Sequence, residues 1–199
     1  MTITNGYATS TDFKDYHAIT STNAVDDLVI DLLIESASRY IDNDTGRRFY
    51  ASTASTHYFD TPPSSTSPLI LDEDLVSCTS LVNGDGSTFT VTTDYVLLPY
   101  NTTPYTAIQL VPGASQTWLT DDGNPYKAIS VTGTWGSTTV PTDIKHACLI
   151  IAVQAYHRRY GDKAAQDSIV MPSGMVITPA EVPSIARTII NNHRKIGIG

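Results

Sequence analysis

The sequence has few cysteines, no long apolar run and, through its middle, no basic residue. Only Cys78 and Cys148 occur in 199 residues, which excludes a disulfide-stapled scaffold and favours two buried free thiols. No apolar run approaches the ~18 residues of a membrane-spanning helix, and residues 1–16 lack the basic region and apolar core of a signal peptide. We therefore expect a protein that is made and kept in a cytoplasm and does not contact a membrane.

Motifs that carry chemistry are also missing. The sequence contains no GxSxG, HExxH, Walker or GxGxxG motif, so hydrolase, metalloprotease and nucleotide chemistry have no positive evidence. His146 and His157 share a predicted helical face, but they lie about 16 Å apart along its axis, too far for one metal ion. Residues 83–94 resemble a calcium loop superficially, without the glycine at its sixth place. We predict no enzymatic activity, no metal site and no cofactor.

The formal net charge of −8 is concentrated in one segment. Residues 51–126 contain eight acidic residues and no lysine or arginine, whereas the rest of the chain holds 12 acids and 12 bases. An acidic chain is a poor general binder of nucleic acid, because such binding neutralises phosphates. The same segment is rich in threonine, serine, proline and aromatic residues, and it lacks helical periodicity. It is either a solvated face or a surface that repels DNA or meets a basic partner.

Apolar spacing predicts helices on both sides of this segment. The strongest pattern covers residues 23–45, with Asn23 as its N-cap and Gly46 as its stop. Its apolar stripe consists of Val25, Leu28, Leu32, Ala37, Tyr40 and Ile41. We also predict a short helix near Thr11 to His17, capped by Thr9 or Ser10, and a helix from Pro141 to Gly161. A last helix starts at Thr178 or at Pro183 and runs toward Lys195. Residues 162–177, which link the last two predicted helices, are rich in apolar side chains, and we expect them to pack against another surface.

The middle segment alternates with the period of a strand. At least five short strands are predicted between His57 and Trp135, with a hairpin turn at residues 83–86, NGDG. In the last strand Ile129, Val131 and Trp135 share one face. The predicted class is α+β. A small helical bundle, an N-terminal helix plus two C-terminal helices, is formed by residues 1–50 and 137–199, and residues 51–136 form an acidic β-rich insertion folded as a small sandwich or barrel.

Three segments in chain order carry a family resemblance: SRYIDNDTGRRFY at 38–50, ISVTGTWGSTTVPTDIKHACLIIA at 129–152 with the trailing YHRRYG, and PAEVPSIARTIINNHRK at 179–195. Together they resemble the head-tail connector, or adaptor, proteins of tailed bacteriophages. The most specific part is the TGTWG turn followed by proline, Asp143-Ile144-Lys145 and a helix ending in paired arginines. The β segment from about 55 to 125 contributes no matching motif.

The resemblance implies a structural protein of the virion neck, assembled in the host cytoplasm and without enzymatic activity. Members of the family form rings of about twelve copies between the portal protein and the tail or a further neck protein, and double-stranded DNA passes through them transiently. The C-terminal region commonly docks on the portal. Here that docking set is Ile185, Ile189, Arg194 and Lys195.

Two further sets of charged residues are candidate contacts. Paired basic residues follow predicted helix ends, where they either complement the helix dipole or contact a partner's carboxylates or DNA phosphates. The subunit or DNA contact set is Arg47, Arg48, Arg158 and Arg159. An acidic face suits a DNA conduit, because like charge prevents the duplex from adhering, and Asp72, Glu73 and Asp74 are the candidates. The alternative function is a tail or capsid-surface module whose Thr/Tyr-rich β segment recognises a host glycan or another virion protein.

Overall fold

The structure is a computed structural model that describes residues 3–18, 24–113, 115–160, 169–170, 176–177 and 182–195. Its helices are α1 (Ser10–His17), α2 (Ala24–Thr45), α3 (Thr142–Tyr160) and α4 (Ser184–His193). Its strands are β1 (Ser55–Phe59), β2 (Leu69–Val82), β3 (Thr88–Phe89), β4 (Tyr95–Leu98), β5 (Tyr105–Leu110), β6 (Ile129–Trp135), β7 (Ile169–Val170) and β8 (Val176–Ile177). The α+β class agrees with the prediction, and the rest of the 162–177 linker lies outside the described residues.

The chain divides into two compact units. Residues 1–47 and 140–199 form one, here called the helical unit, and residues 48–139 form the other, the sheet unit. The helical unit contains all four described helices, and α3 packs against α1, α2 and α4. No helix among the described residues is both long enough and apolar enough to span a membrane.

Local signals in the sequence set the helix ends. Thr9 and Asp12 form a capping box at α1, because each side chain accepts a hydrogen bond from the other residue's backbone N–H. Gly46 follows α2 with φ of +66° and donates to the Asp42 carbonyl at 2.9 Å, which ends that helix as predicted. At α4 the structure agrees with the later of the two predicted starts, because Pro183 is the N-cap.

The buried face of α2 differs from the predicted stripe. Ile30, Ile34 and Ile41 are fully buried, whereas Leu28 and Leu32, which the spacing placed in the core, are 52% and 51% exposed. The helix is apolar on more than one side, so spacing alone could not select the side that packs. The prediction was correct for Ala37 and Ile41 and wrong for Leu28, Leu32 and Tyr40.

The sheet unit is a single open sheet, which corrects the predicted sandwich or barrel. Its path is β1-β6-β2-β5-β4, every pairing is antiparallel, and β3 pairs with β2 beside this path. The ends of the path, β1 and β4, do not pair with each other, so the sheet does not close. A period-two pattern identifies strands but does not encode which strands pair, and the closed forms were therefore not distinguishable from an open sheet.

One long strand organises this sheet. β2 spans 14 residues and pairs with β5 through its first half and with β6 through its second half. The register with β6 shifts between Leu75 and Ser77 and again between Cys78 and Ser80. Leu75 and Leu81 are fully buried in this stretch, whereas Val76, Cys78 and Val82 are only partly buried.

The core of the sheet unit centres on β6. Ile129, Val131 and Trp135 are fully buried and alternate with partly exposed residues, as the sequence predicted. Trp118 and Phe89 lie in the same apolar cluster, with ring centroids 5.8 Å apart. Residues 132–135 of the TGTWG segment lie within β6, so this segment, a turn in the sequence prediction, is mostly strand.

Both cysteines are free, in agreement with the sequence. Cys148 is buried on α3, and burial raises the pKa of its thiol to about 11. Cys78 is half-buried on β2, and burial also raises its pKa, against a smaller opposing effect of the Tyr95 hydroxyl. Neither thiol is ionised near neutral pH, so both act as small apolar groups.

Candidate assembly interface

The C-terminal helix presents one face to the core and another to solvent. Ala186 and Ile190 are fully buried, whereas Ile185 is 61% exposed and Ile189 is half-buried. Three and four residues separate neighbours on one helical face, so Ala186 and Ile190 fix the orientation of α4 and leave Ile185 outside. Of the predicted docking set, Ile185 is therefore the apolar side chain that a partner can reach most fully.

Arg194 and Lys195 fasten the end of α4 to the end of α2. The Arg194 Nε–H donates to the Asp44 carbonyl at 3.0 Å, and its guanidinium forms an ion pair with the Asp44 carboxylate. The Lys195 backbone N–H donates to the Thr45 carbonyl at 2.8 Å. These bonds satisfy carbonyl groups that the last turn of α2 leaves without helical partners. The sequence placed both residues in the docking set but could not show this intramolecular attachment.

A third contact holds α4 against the start of α3. His193 Nε2 and Asp143 Oδ2 lie 2.7 Å apart. Burial alone would raise the pKa of Asp143, but the hydrogen bond and charge of His193, with the backbone N–H of Ile144, outweigh it and lower that pKa below its ordinary value. The ionised carboxylate is thus the form that the folded protein favours, so this contribution is present near neutral pH and is lost as the pH falls through the lowered pKa.

The four arginines predicted to contact subunits or DNA have different surroundings. Arg158 and Arg159 are exposed at the end of α3, and Arg158 also lines a groove between α2 and α3. In the sheet unit Arg48 forms an ion pair with Glu73 at 2.7 Å. Arg47 is half-buried, and its backbone N–H donates to Thr45 Oγ1. The exposed pair at the end of α3 is the part of this set most accessible to a partner.

The three predicted conduit carboxylates do not share one exposed face. They occupy consecutive positions of β2, where its register with β5 shifts between Ile70 and Leu75, so strict alternation does not hold there. The Asp72 side chain is 70% exposed, the Glu73 side chain is 12% exposed and Asp74 is 3% exposed. Burial raises the pKa of Glu73, and the nearby Arg48 charge only partly opposes this. Asp72 is therefore the carboxylate of the three that can set the surface potential.

The sequence reasoning missed an exposed apolar row on α2. Leu28, Leu32 and Tyr40 are 52%, 51% and 39% exposed and succeed one another at multiples of four residues. Their exposure could be recognised only once the buried face of the helix was known. Within the described part of the chain, no group of three or more histidine, cysteine or carboxylate side chains could hold a metal ion.

Comparison with protein families identifies the chain. A family model described as "Head completion protein" matches residues 7–196, which covers both flanks and the whole sheet unit. The chain belongs to the head completion protein family. No curated protein matches it.

Solved structures share the fold of this head completion protein. The neck of an empty gene transfer agent particle, computed with C6 symmetry, is similar with a TM-score of 0.60 and 16% identity over 100% of this chain and 94% of the other. A chain from the virion of a native gene transfer agent particle is similar with a TM-score of 0.55 and 15% identity, over 95% of this chain and 90% of the other. The neck of the native particle, computed with C12 symmetry, is similar with a TM-score of 0.54 and 16% identity, over 94% of this chain and 88% of the other.

Family membership supports the connector identification made from the three sequence segments. The protein is a structural head-tail connector. The family implies a structural role that is not enzymatic.

Proposed function

We propose that copies of this chain form a ring of about twelve subunits that docks under the portal protein and bridges it to the tail or to a further neck protein. The family and the C12-symmetric neck of a similar structure support this proposal. Subunits assemble in the host cytoplasm after the genome is packaged, and the ring remains in the virion neck. Double-stranded DNA passes through it transiently.

One observation carries the docking part of the proposal: an exposed isoleucine on a helix whose far end is fixed. Ile185 is 61% exposed on α4, while Arg194 and His193 attach the far end of that helix to α2 and α3. A fixed helix loses little conformational freedom when it binds, which favours affinity. Ile185 is the portal contact in this account, Ile189 supports it from the half-buried side, and Arg194 with Lys195 holds the helix in place.

Replacing Ile185 with aspartate is expected to weaken portal binding at least tenfold without unfolding the protein. Burial of one isoleucine side chain is worth about 1.5–3 kcal/mol, and each 1.4 kcal/mol is a factor of ten in affinity. The free energy of unfolding should change by no more than about 0.5 kcal/mol, because the position is exposed. Binding is measured with immobilised portal rings, and stability is measured by circular dichroism melts.

Asn191→Asp is the matched control, because it adds the same charge at an exposed position of α4 about 120° from Ile185. Equal binding by Ile185→Asp, Asn191→Asp and the wild type would remove α4 from the portal dock. A point variant is preferable to deletion of the helix, since deletion would also remove Ala186 and Ile190 from the core.

The conduit part of the proposal rests on Asp72. Asp72→Asn is expected to slow genome ejection by about a factor of two or more, because a ring loses one wall charge from each subunit and the duplex adheres more readily. Ejection is followed by dye release from purified particles. Asp122→Asn, an exposed charge change in the same unit, is the control, and an unchanged rate in the Asp72 variant would refute the conduit role.

A further inference from the structure

The outer face of α2 exposes more apolar surface than a solvated helix needs. Leu28 and Leu32 lie on the side opposite the fully buried Ile30 and Ile34, since residues are spaced by about 100° around the helix axis. Two half-exposed leucines one turn apart form an aligned pair, and Tyr40, eight residues after Leu32, extends the exposed row about 80° around the helix. Aligned apolar side chains of this kind mark a surface that another protein covers.

This row borders a groove in the same unit. Leu33, Ala37 and Tyr40 of α2 form one wall, and Ile151 and Ala155 of α3 face them across a cavity of about 250 Å³. Tyr40 belongs both to the exposed row and to the wall. We call the exposed row the α2 surface; its members are Leu28, Leu32 and Tyr40.

Charge is separated within the helical unit. Residues 24–45 contain six acids and one arginine, whereas residues 142–160 and 184–195 together contain six bases and one acid. Ion pairs between helices neutralise Asp27 and Asp44 in the first set and Lys145 and Arg194 in the second, which leaves balances of −3 and +3. On α2, Asp31 and Glu35 lie three residues after Leu28 and Leu32 and flank them. The acidic charge is therefore adjacent to the apolar row.

The exposed basic charge lies at the end of α3 and the start of α4, beside the groove, which Arg158 also lines. Helix α4 runs antiparallel to α3, because His193 contacts Asp143 at one end and Val182 lies with Arg158 at the other. This arrangement brings the start of α4, with exposed Arg187, toward the end of α3, with exposed Arg159. We call Arg159 and Arg187 the basic surface.

We propose that the α2 surface of one copy binds the basic surface of the next copy, which makes the contact between neighbouring subunits heterologous. The proposal rests on the ring described above. Closing a cyclic ring requires two different, complementary patches on every subunit, and the unit has one acidic and apolar patch and one basic patch. A symmetric contact of two α2 helices would instead bring two acidic surfaces together, and like charges oppose association.

Reciprocal charge reversal tests this contact. One variant is Asp31→Arg, and the other is Arg187→Glu. Each variant alone places like charges across every contact between neighbouring subunits. In an equimolar mixture the two variants can alternate around the ring, so that every contact again joins opposite charges. Native mass spectrometry then counts copies on the portal ring. Asp15→Arg, an exposed position of α1 with the same change of charge, is the control, and circular dichroism verifies that each variant is folded.

We expect wild type and Asp15→Arg to give fully occupied rings, each reversed variant alone to reduce full rings at least tenfold, and the mixture to recover them. Full rings from both variants alone, or no recovery in the mixture, would overturn the heterologous contact while leaving the portal dock intact. If the wild type does not bind the portal, the proposed portal dock is wrong. The contact between subunits is then tested by measuring association of the free protein at about 1 mM. Association of wild type and of the mixture, but of neither variant alone, then supports this contact, and monomers in every sample overturn it.

Discussion

We expect Trp135→Ala to lower the free energy of unfolding by about 3–5 kcal/mol, the usual cost of truncating a buried tryptophan. The Trp135 side chain is fully buried, its ring stacks on His57 at a centroid distance of 4.0 Å, and its indole N–H donates to the Ser55 carbonyl at 3.0 Å. The variant leaves a cavity and an unpaired carbonyl together. For a chain of this size the melting temperature should fall by roughly 6–20 °C.

The Trp135 variant tests whether β6 forms the centre of the sheet unit. Thermal unfolding followed by circular dichroism gives the size of the effect, and Tyr126→Ala provides the control because Tyr126 is 69% exposed. The control should stay within about 0.5 kcal/mol of the wild type. A melting temperature for Trp135→Ala that matches the control would show that this core is packed differently.

A non-glycine residue at a left-handed position costs about 1–3 kcal/mol. Gly136→Ala is expected to lower the free energy of unfolding by more than this. Gly136 has φ of +95°, its N–H donates to the Asp74 carbonyl at 2.7 Å, and a Cβ at this position would overlap the Tyr50 carbonyl oxygen. The backbone at Tyr50 would therefore have to move away from Gly136. This requirement gives the last glycine of TGTWG a physical reason.

Gly113→Ala separates the two contributions. Gly113 also has a positive φ, of +85°, but a Cβ there meets nothing within 4 Å, so the variant carries the conformational cost without the overlap. Urea unfolding of both variants should therefore give a larger loss for Gly136→Ala. Equal losses would mean that the close approach to Tyr50 contributes nothing.

Local signals in the sequence were reliable because they depend on neighbouring residues. Thr9 caps α1 through Asp12, Gly46 ends α2, and Pro183 begins α4. Each of these is a contact or a backbone preference within a few residues, which the sequence displays directly. The alternation along β6 is of the same kind.

Long-range features were less accessible. The side on which α2 packs depends on α3, and the open edge of the sheet depends on which strands pair, so neither follows from a local pattern. The attachment of Arg194 to Asp44 joins residues 150 positions apart. The sequence identified Arg194 as a candidate contact but could not show which carboxylate it meets.

The candidate surfaces follow the same division. The sequence located exposed charge at Arg158, Arg159 and Asp72, and the structure finds all three exposed. It also treated Asp74 as a surface charge, although β2 buries that side chain. The apolar row at Leu28 and Leu32 was hidden, because in the sequence an exposed leucine on an amphipathic helix is indistinguishable from a core leucine.

The mass of portal rings after incubation with the purified protein tests the central claim most directly. A connector that docks as a ring adds about twelve subunits of 21.5 kDa, or ~258 kDa, to each portal, with few partly filled particles at saturating protein. Native mass spectrometry resolves each added copy. A portal whose mass does not change, while the protein by itself forms a stable small oligomer, would contradict the account.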